Sequence, residues 1–82
     1  MNFRFSPRFA KNYAAAPLEV RKAFDKQSSF LLRDIRHPSL RAKKYDESNG
    51  LWQARVNKGW RFYFQIRGET YELHDIKEHP KY

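Results

Sequence analysis

Two arginines, Arg55 and Arg61, flank the short gap Asn57-Lys58-Gly59, and a histidine, His79, lies near the end of the chain. Arginine forks hold phosphate oxygens through paired, charge-assisted hydrogen bonds. A histidine takes or gives a proton near neutral pH. Together these groups suit the cutting of RNA without a bound metal ion. In that reaction the ribose 2′-OH loses a proton and attacks the adjacent phosphorus. Negative charge gathers in the transition state, and the 5′-oxygen leaves with a proton. Arg61 and Arg55 are the expected phosphate clamps, and His79 is the candidate general acid. Lys43 or Lys44 is the candidate base or charge stabiliser. Tyr63 and Tyr82 are placed to stack on a base or orient a hydroxyl, and Arg41 adds to the same concentration of uncompensated charge. Each has a plainer reading. Exposed Arg and Lys are usually solvated charges, and Tyr82 at the chain end is a frayed residue.

Other chemistries find little support. The chain has no P-loop, no Rossmann glycine pattern, no His-x-x-x-His pair and no Gly-x-Ser-x-Gly element. No cofactor or metal is implied. His37, before Pro38, reads as a cap at a helix C-terminus, and His74 as a half-exposed strand residue.

Three segments must position these side chains. Leu51–Val56, Trp60–Ile66 and Thr70–Lys77 are rich in aromatic and β-branched residues, with glycine-containing gaps between them. They predict an antiparallel meander. Strand alternation places Trp52, Ala54, Val56, Phe62, Phe64 and Ile66 on an apolar back. It places Gln53, Arg55, Arg61, Tyr63 and Gln65 on a cationic, hydrogen-bonding front. In the third segment Ile76 falls out of phase with Tyr71 and Leu73, so a bulge is expected near His74-Asp75.

Before the meander, Asn2–Phe5 reads as a short strand. Ser6-Pro7 reads as a helix start. Pro17 ends the first helix, and a second is predicted from about Pro17 to Ile35 on the stripe Val20, Phe24, Leu31 and Ile35. Residues from Pro38 to Asn49 read as a loop or irregular strand. The fold class expected is α+β: a small twisted antiparallel sheet with an N-terminal helical hairpin packed on one face.

At 82 residues the chain is read as one domain, 1–82. It has no cysteine, so no disulfide or thiolate metal site is available, which fits a reducing cytoplasm. No apolar run is long enough to span a membrane, and Met1–Phe5 has no signal-peptide character. A formal charge of +8 favours a polyanionic partner.

The ordered set of motifs resembles the RelE/ParE superfamily of bacterial toxins. It comprises the helical hairpin, residues 37–46, Gly50-Leu51-Trp52-Gln53-Ala54-Arg55-Val56, Trp60-Arg61-Phe62-Tyr63-Phe64 and Asp75-Ile76-Lys77-Glu78-His79. The resemblance covers nearly the whole chain and implies a toxin made with a neutralising antitoxin. RelE-like members are ribosome-dependent messenger-RNA endonucleases; ParE-like members poison DNA gyrase. By the same resemblance Arg61 matches the strand arginine at the scissile phosphate, Arg55 a nearby basic position, and His79 a C-terminal catalytic histidine. Tyr82 matches a C-terminal aromatic, and Lys43 and Lys44 fall where other members carry a base. Ala42 stands where one subgroup has a glutamate, and Pro80 where that subgroup has its terminal tyrosine.

The leading expectation is therefore a cytoplasmic toxin that cuts messenger RNA on the ribosome and contacts ribosomal RNA through its basic face. A gyrase inhibitor without nuclease activity and a non-toxic binding module of the same fold are the alternatives. The antitoxin is expected to cover the cationic face, or displace an element beside it, with an acidic or amphipathic segment.

Overall fold

A computed structural model describes residues 1–80. The chain runs β1 (Asn2–Phe5), α1 (Pro7–Ala15), α2 (Leu18–Arg33), β2 (Lys43–Asp46), β3 (Leu51–Asn57), β4 (Trp60–Arg67) and β5 (Thr70–Glu78). Single 3₁₀ turns at Pro38–Leu40 and Glu47–Asn49 precede and follow β2. The strand order across the five-stranded sheet is β1-β5-β4-β3-β2. The α+β class is as expected. The sheet is antiparallel from β2 to β5, but β1 joins β5 in parallel, which makes it mixed.

Local chemistry accounts for the hairpin. Ser6 caps α1 by accepting the Phe9 N–H at 3.0 Å, with Pro7 in the first turn. Pro17 precedes α2, which ends at Arg33 rather than Ile35 because Asp34 turns to extended backbone. Phe9, Val20, Phe24 and Leu31 face the sheet and meet Val56, Phe62, Phe64, Leu73 and Ile76 in one core. Phe62 is 0 % exposed and lies edge-on to Phe24, with ring centroids 5.1 Å apart. Trp52 and Ile35 pack at the margin of this core, partly buried. Ile66 does not join it. It sits near the end of β4 and is 40 % exposed.

The bulge expected in β5 is present. Tyr63 pairs with Asp75 and Phe64 with Leu73, leaving His74 as the extra residue. This shift brings Leu73 and Ile76 onto the same buried side. A second irregularity, at Val56, lies between the Arg55–Arg61 and Asn57–Trp60 pairs. The turn beyond it is tightened by Asn57, whose side-chain oxygen accepts the Gly59 N–H at 2.9 Å. Residues 43–46, read as a loop or irregular strand, form β2 along the edge of β3.

Among the described residues, no helix is long and apolar enough to cross a membrane.

Candidate functional site

The front of the sheet is ordered in rows across the strands. Arg55 on β3 lies opposite Arg61 on β4, and Arg61 lies opposite Lys77 on β5. Three cationic residues therefore share one row of the ladder. Like charges directly opposite one another on a sheet repel. Among the described residues none of the three forms an ion pair; the ion pairs present join Glu72 to Arg4 and Arg67, at the far end of the sheet.

Arg61 is fixed by its own turn. Its Nη1 donates to the carbonyls of Asn57 (2.8 Å), Trp60 (2.9 Å) and Lys58 (3.3 Å). Burial, and then the neighbouring Arg55 and Arg41 charges, lower its pKa below the ordinary arginine value. Guanidinium is so basic that Arg61 stays cationic at neutral pH. The electrostatic cost of that charge is what a bound anion would relieve. Arg55 is half-buried, and its Nε is buried with no hydrogen-bond partner.

Arg41 joins this group from the sheet's margin. It follows the 3₁₀ turn at Pro38–Leu40 with left-handed backbone, φ 46°, unusual for a non-glycine residue. It shares with Arg55 and Lys58 an open hollow of about 500 Å³ between α2 and the end of β3. Gln27 braces that region. Buried on α2, it donates through Nε2 to the carbonyls of Ser39 (3.0 Å) and Arg55 (2.8 Å) and accepts from Ser39 Oγ (3.1 Å). In the sequence Gln27 falls between Phe24 and Leu31 of the apolar stripe. A polar residue within an apolar stripe was the available signal that it bonds something across the core.

His79 follows β5 directly and is half-buried. Its main-chain N–H donates to the Gly59 carbonyl at 2.7 Å, so the end of β5 is held to the turn that carries Arg61. Alternation from Lys77 directs His79 to the front, diagonal to Arg61.

The two candidate lysines part company. Lys43 pairs with Gln53, whose amide donates to the Tyr63 hydroxyl at 3.0 Å, and is exposed on the front. Lys44 pairs with Trp52, and its ammonium lies 6.0 Å from the centre of that ring. Trp52 stacks on the core residue Phe64, so Lys44 is on the back, away from the arginines. Tyr63 is on the front as expected, but buried: Lys77 lies over its ring at 5.1 Å and Tyr45 meets it edge-on. Tyr82 lies outside the described residues.

His37 is not the helix cap its sequence position implied. α2 has already ended, so the ring stacks on Phe30 at 3.8 Å and its Nδ1 accepts the Ser39 N–H at 3.2 Å, capping the 3₁₀ turn. Lys77 went unrecognised as a site residue. Counting back from the Arg67–Thr70 pair without a bulge sets Ile76 opposite Arg61; the extra His74 sets Lys77 there instead. Among the described residues, no three His, Cys, Asp or Glu side chains are grouped to hold a metal.

No family model and no curated protein matches the chain. Solved structures do. A YoeB/ParE toxin from Agrobacterium tumefaciens superposes with a TM-score of 0.80 at 13% identity, covering 98% of this chain and 100% of its own. The YoeB–YefM complex from Staphylococcus aureus gives 0.78 at 16% identity, covering 98% of each chain. The intact RelBE toxin–antitoxin complex of E. coli gives 0.73 at 13% identity, covering 96% of each. Over almost the full chain, the helical hairpin and the five-stranded sheet are thus arranged in the same fold as these toxin structures.

Proposed function

We propose that the protein is the toxin of a toxin–antitoxin pair and a metal-independent endoribonuclease that cuts messenger RNA on the ribosome. The row Arg55–Arg61–Lys77, unneutralised and with His79 at its end, carries this reading. A phosphodiester seated there screens the three cations from one another. Arg61 and Arg55 bind its non-bridging oxygens and stabilise the charge of the transition state. Lys43, on the same face, takes the 2′-OH proton or stabilises the charge that its loss creates. The 2′-oxygen bonds to phosphorus, the bond to the 5′-oxygen breaks, and His79 protonates the leaving oxygen. The products are a 2′,3′-cyclic phosphate and a free 5′-hydroxyl. Arg41 and Lys58 extend the positive surface toward ribosomal RNA, so association weakens steeply as salt rises.

An antitoxin partner is part of this proposal. Several proteins of the same fold are named as complexes with YefM, DinJ or RelB. A charge of +8 suits an acidic or amphipathic segment laid over the front or its neighbouring helices.

The test is cleavage mapped by primer extension on translating ribosomes, run beside a gyrase supercoiling assay. Wild-type protein is expected to cut message and leave gyrase active. Arg61→Ala and His79→Ala are each expected to lose cleavage by about 100-fold or more while keeping the fold. Wild-type rates in both variants would remove these residues from the mechanism, and gyrase inhibition without cleavage would replace the reading.

A further inference from the structure

A second hollow, of about 390 Å³, crosses the same front from Tyr45 on β2 past Tyr63 to the bulge of β5 and the start of α1. It has the volume of a small-molecule site and no place in the chemistry of the phosphate. Lys77 belongs to both: it lines the hollow and stands opposite Arg61. Tyr63 follows Arg61 on the same face of β4, a step of about 7 Å along a strand. A nucleotide whose phosphate lies on the arginine row therefore has its base within reach of the hollow. We propose that this hollow is a nucleobase subsite, and that the base it takes is guanine. The assignment rests on the endoribonuclease reading for its biological meaning, not for the binding itself.

The hollow offers a stacking surface and a mixed polar edge. Tyr45 is 56 % exposed and edge-on to Tyr63 at 5.1 Å, so one face of its ring is open to a flat partner. Splayed bases stack on such rings. Asp75 is placed by the bulge. One of its carboxylate oxygens accepts from Asn12 Nδ2 at 2.6 Å and from the Ile76 N–H at 2.8 Å. The other accepts nothing from the described residues and forms no ion pair, although Arg8 and Lys77 line the same hollow. A carboxylate flanked by two cations matches an edge on which donors adjoin acceptors. Guanine has that edge: N1–H and the 2-amino group donate, while O6 and N7 accept and are the usual targets of Arg and Lys. Uracil lacks the amine, and adenine lacks the oxygen acceptor.

The bulge is what makes the hollow. In regular, unbulged pairing His74 would face Tyr63 in place of Asp75, and Ile76 would replace Lys77 at the junction with the phosphate row. His74 is held by a 2.9 Å bond between its Nε2 and Gln65 Oε1, and its carbonyl accepts from Ser6 Oγ at 2.8 Å. The floor is therefore fixed from both sides.

The four nucleoside monophosphates, GMP, AMP, CMP and UMP, titrated into the full-length protein and followed by NMR, test this without any cleavage. GMP is expected to bind about tenfold tighter than UMP and to shift Tyr45, Tyr63 and His74 as well as the arginine row. Asp75→Asn should abolish the preference while phosphate-driven binding of all four persists. Should the lost Asn12 contact unfold that variant, Tyr45→Ala, at an exposed ring, should weaken GMP and leave inorganic phosphate binding unchanged. Equal affinity for all four, or shifts confined to Arg55, Arg61 and Lys77, would overturn the subsite. A guanine preference in a protein that cuts no message would uphold the subsite and overturn the endonuclease.

Discussion

Arg55 and Arg61 are direct cross-strand partners, like charge against like charge, one bonded to the carbonyls of its turn and the other with a buried Nε unpartnered. This placement opposes folding unless an anion relieves it. Arg55→Gln is expected to raise stability by about 0.2–1 kcal/mol, the usual size of a cross-strand charge effect. The same change should weaken RNA binding and reduce the slope of log affinity against log salt by about 1. Thermal unfolding and binding at several salt concentrations check both halves.

Lys43 and Lys44 are adjacent in sequence and on opposite faces of β2. Lys43→Ala is expected to depress cleavage with little change in stability. Lys44→Ala should leave cleavage intact and cost about 0.5–1 kcal/mol through loss of its contact with Trp52. Comparable cleavage losses in the two variants would contradict the division of faces.

Gln27 ties α2, the 3₁₀ turn and β3 together. Gln27→Leu leaves the Ser39 and Arg55 carbonyls without their donor, at a cost of about 1–3 kcal/mol each. Hydrogen exchange should quicken around Ser39–Arg41 and Arg55. Substrate affinity should fall more than the cleavage rate at saturation, because the residue positions binding arginines and does not touch the reacting atoms.

Phe62 fills the centre of the core against Phe24. Phe62→Ala is expected to cost about 3–5 kcal/mol in urea unfolding. That is a large share of the total stability of a domain this small, about 5–15 kcal/mol.

Burial raises the Tyr71 phenol above its ordinary value of 10.0, with Asp34 adding to the shift. A raised pKa means the folded state holds its proton longer than the unfolded chain does. The associated stability is complete below the unfolded pKa and is lost as pH rises through the folded one. Stability should therefore fall above about pH 10, and Tyr71→Phe should flatten that decline, followed by unfolding and by phenolate absorbance across the alkaline range.

Much of this was legible in the residues. Alternation in β3 and β4 placed Arg55, Arg61 and Tyr63 on one face and Phe62 and Phe64 on the other, because a strand has a period of two. Ser6-Pro7 and Pro17 set the helix starts through local geometry. The phase break at Ile76 announced the bulge. These signals are local: each depends on a residue and its near neighbours along the chain. What tertiary structure decided is what depends on partners distant in sequence. The parallel pairing of β1 with β5 joins Asn2–Phe5 to a strand at the far end of the chain, a partner that Asn2–Phe5 do not themselves specify. The face of Lys44 was decided when β2 found its register on β3, and the place of Lys77 opposite Arg61 when the bulge inserted one residue into the ladder. His37 lost its cap role because α2 ended earlier, and Gln27 gained a role because two carbonyls from separate elements converged on it. A shift of one residue in pairing turns a side chain to the other face, so register, which no short stretch of sequence contains, determined which cations share the site.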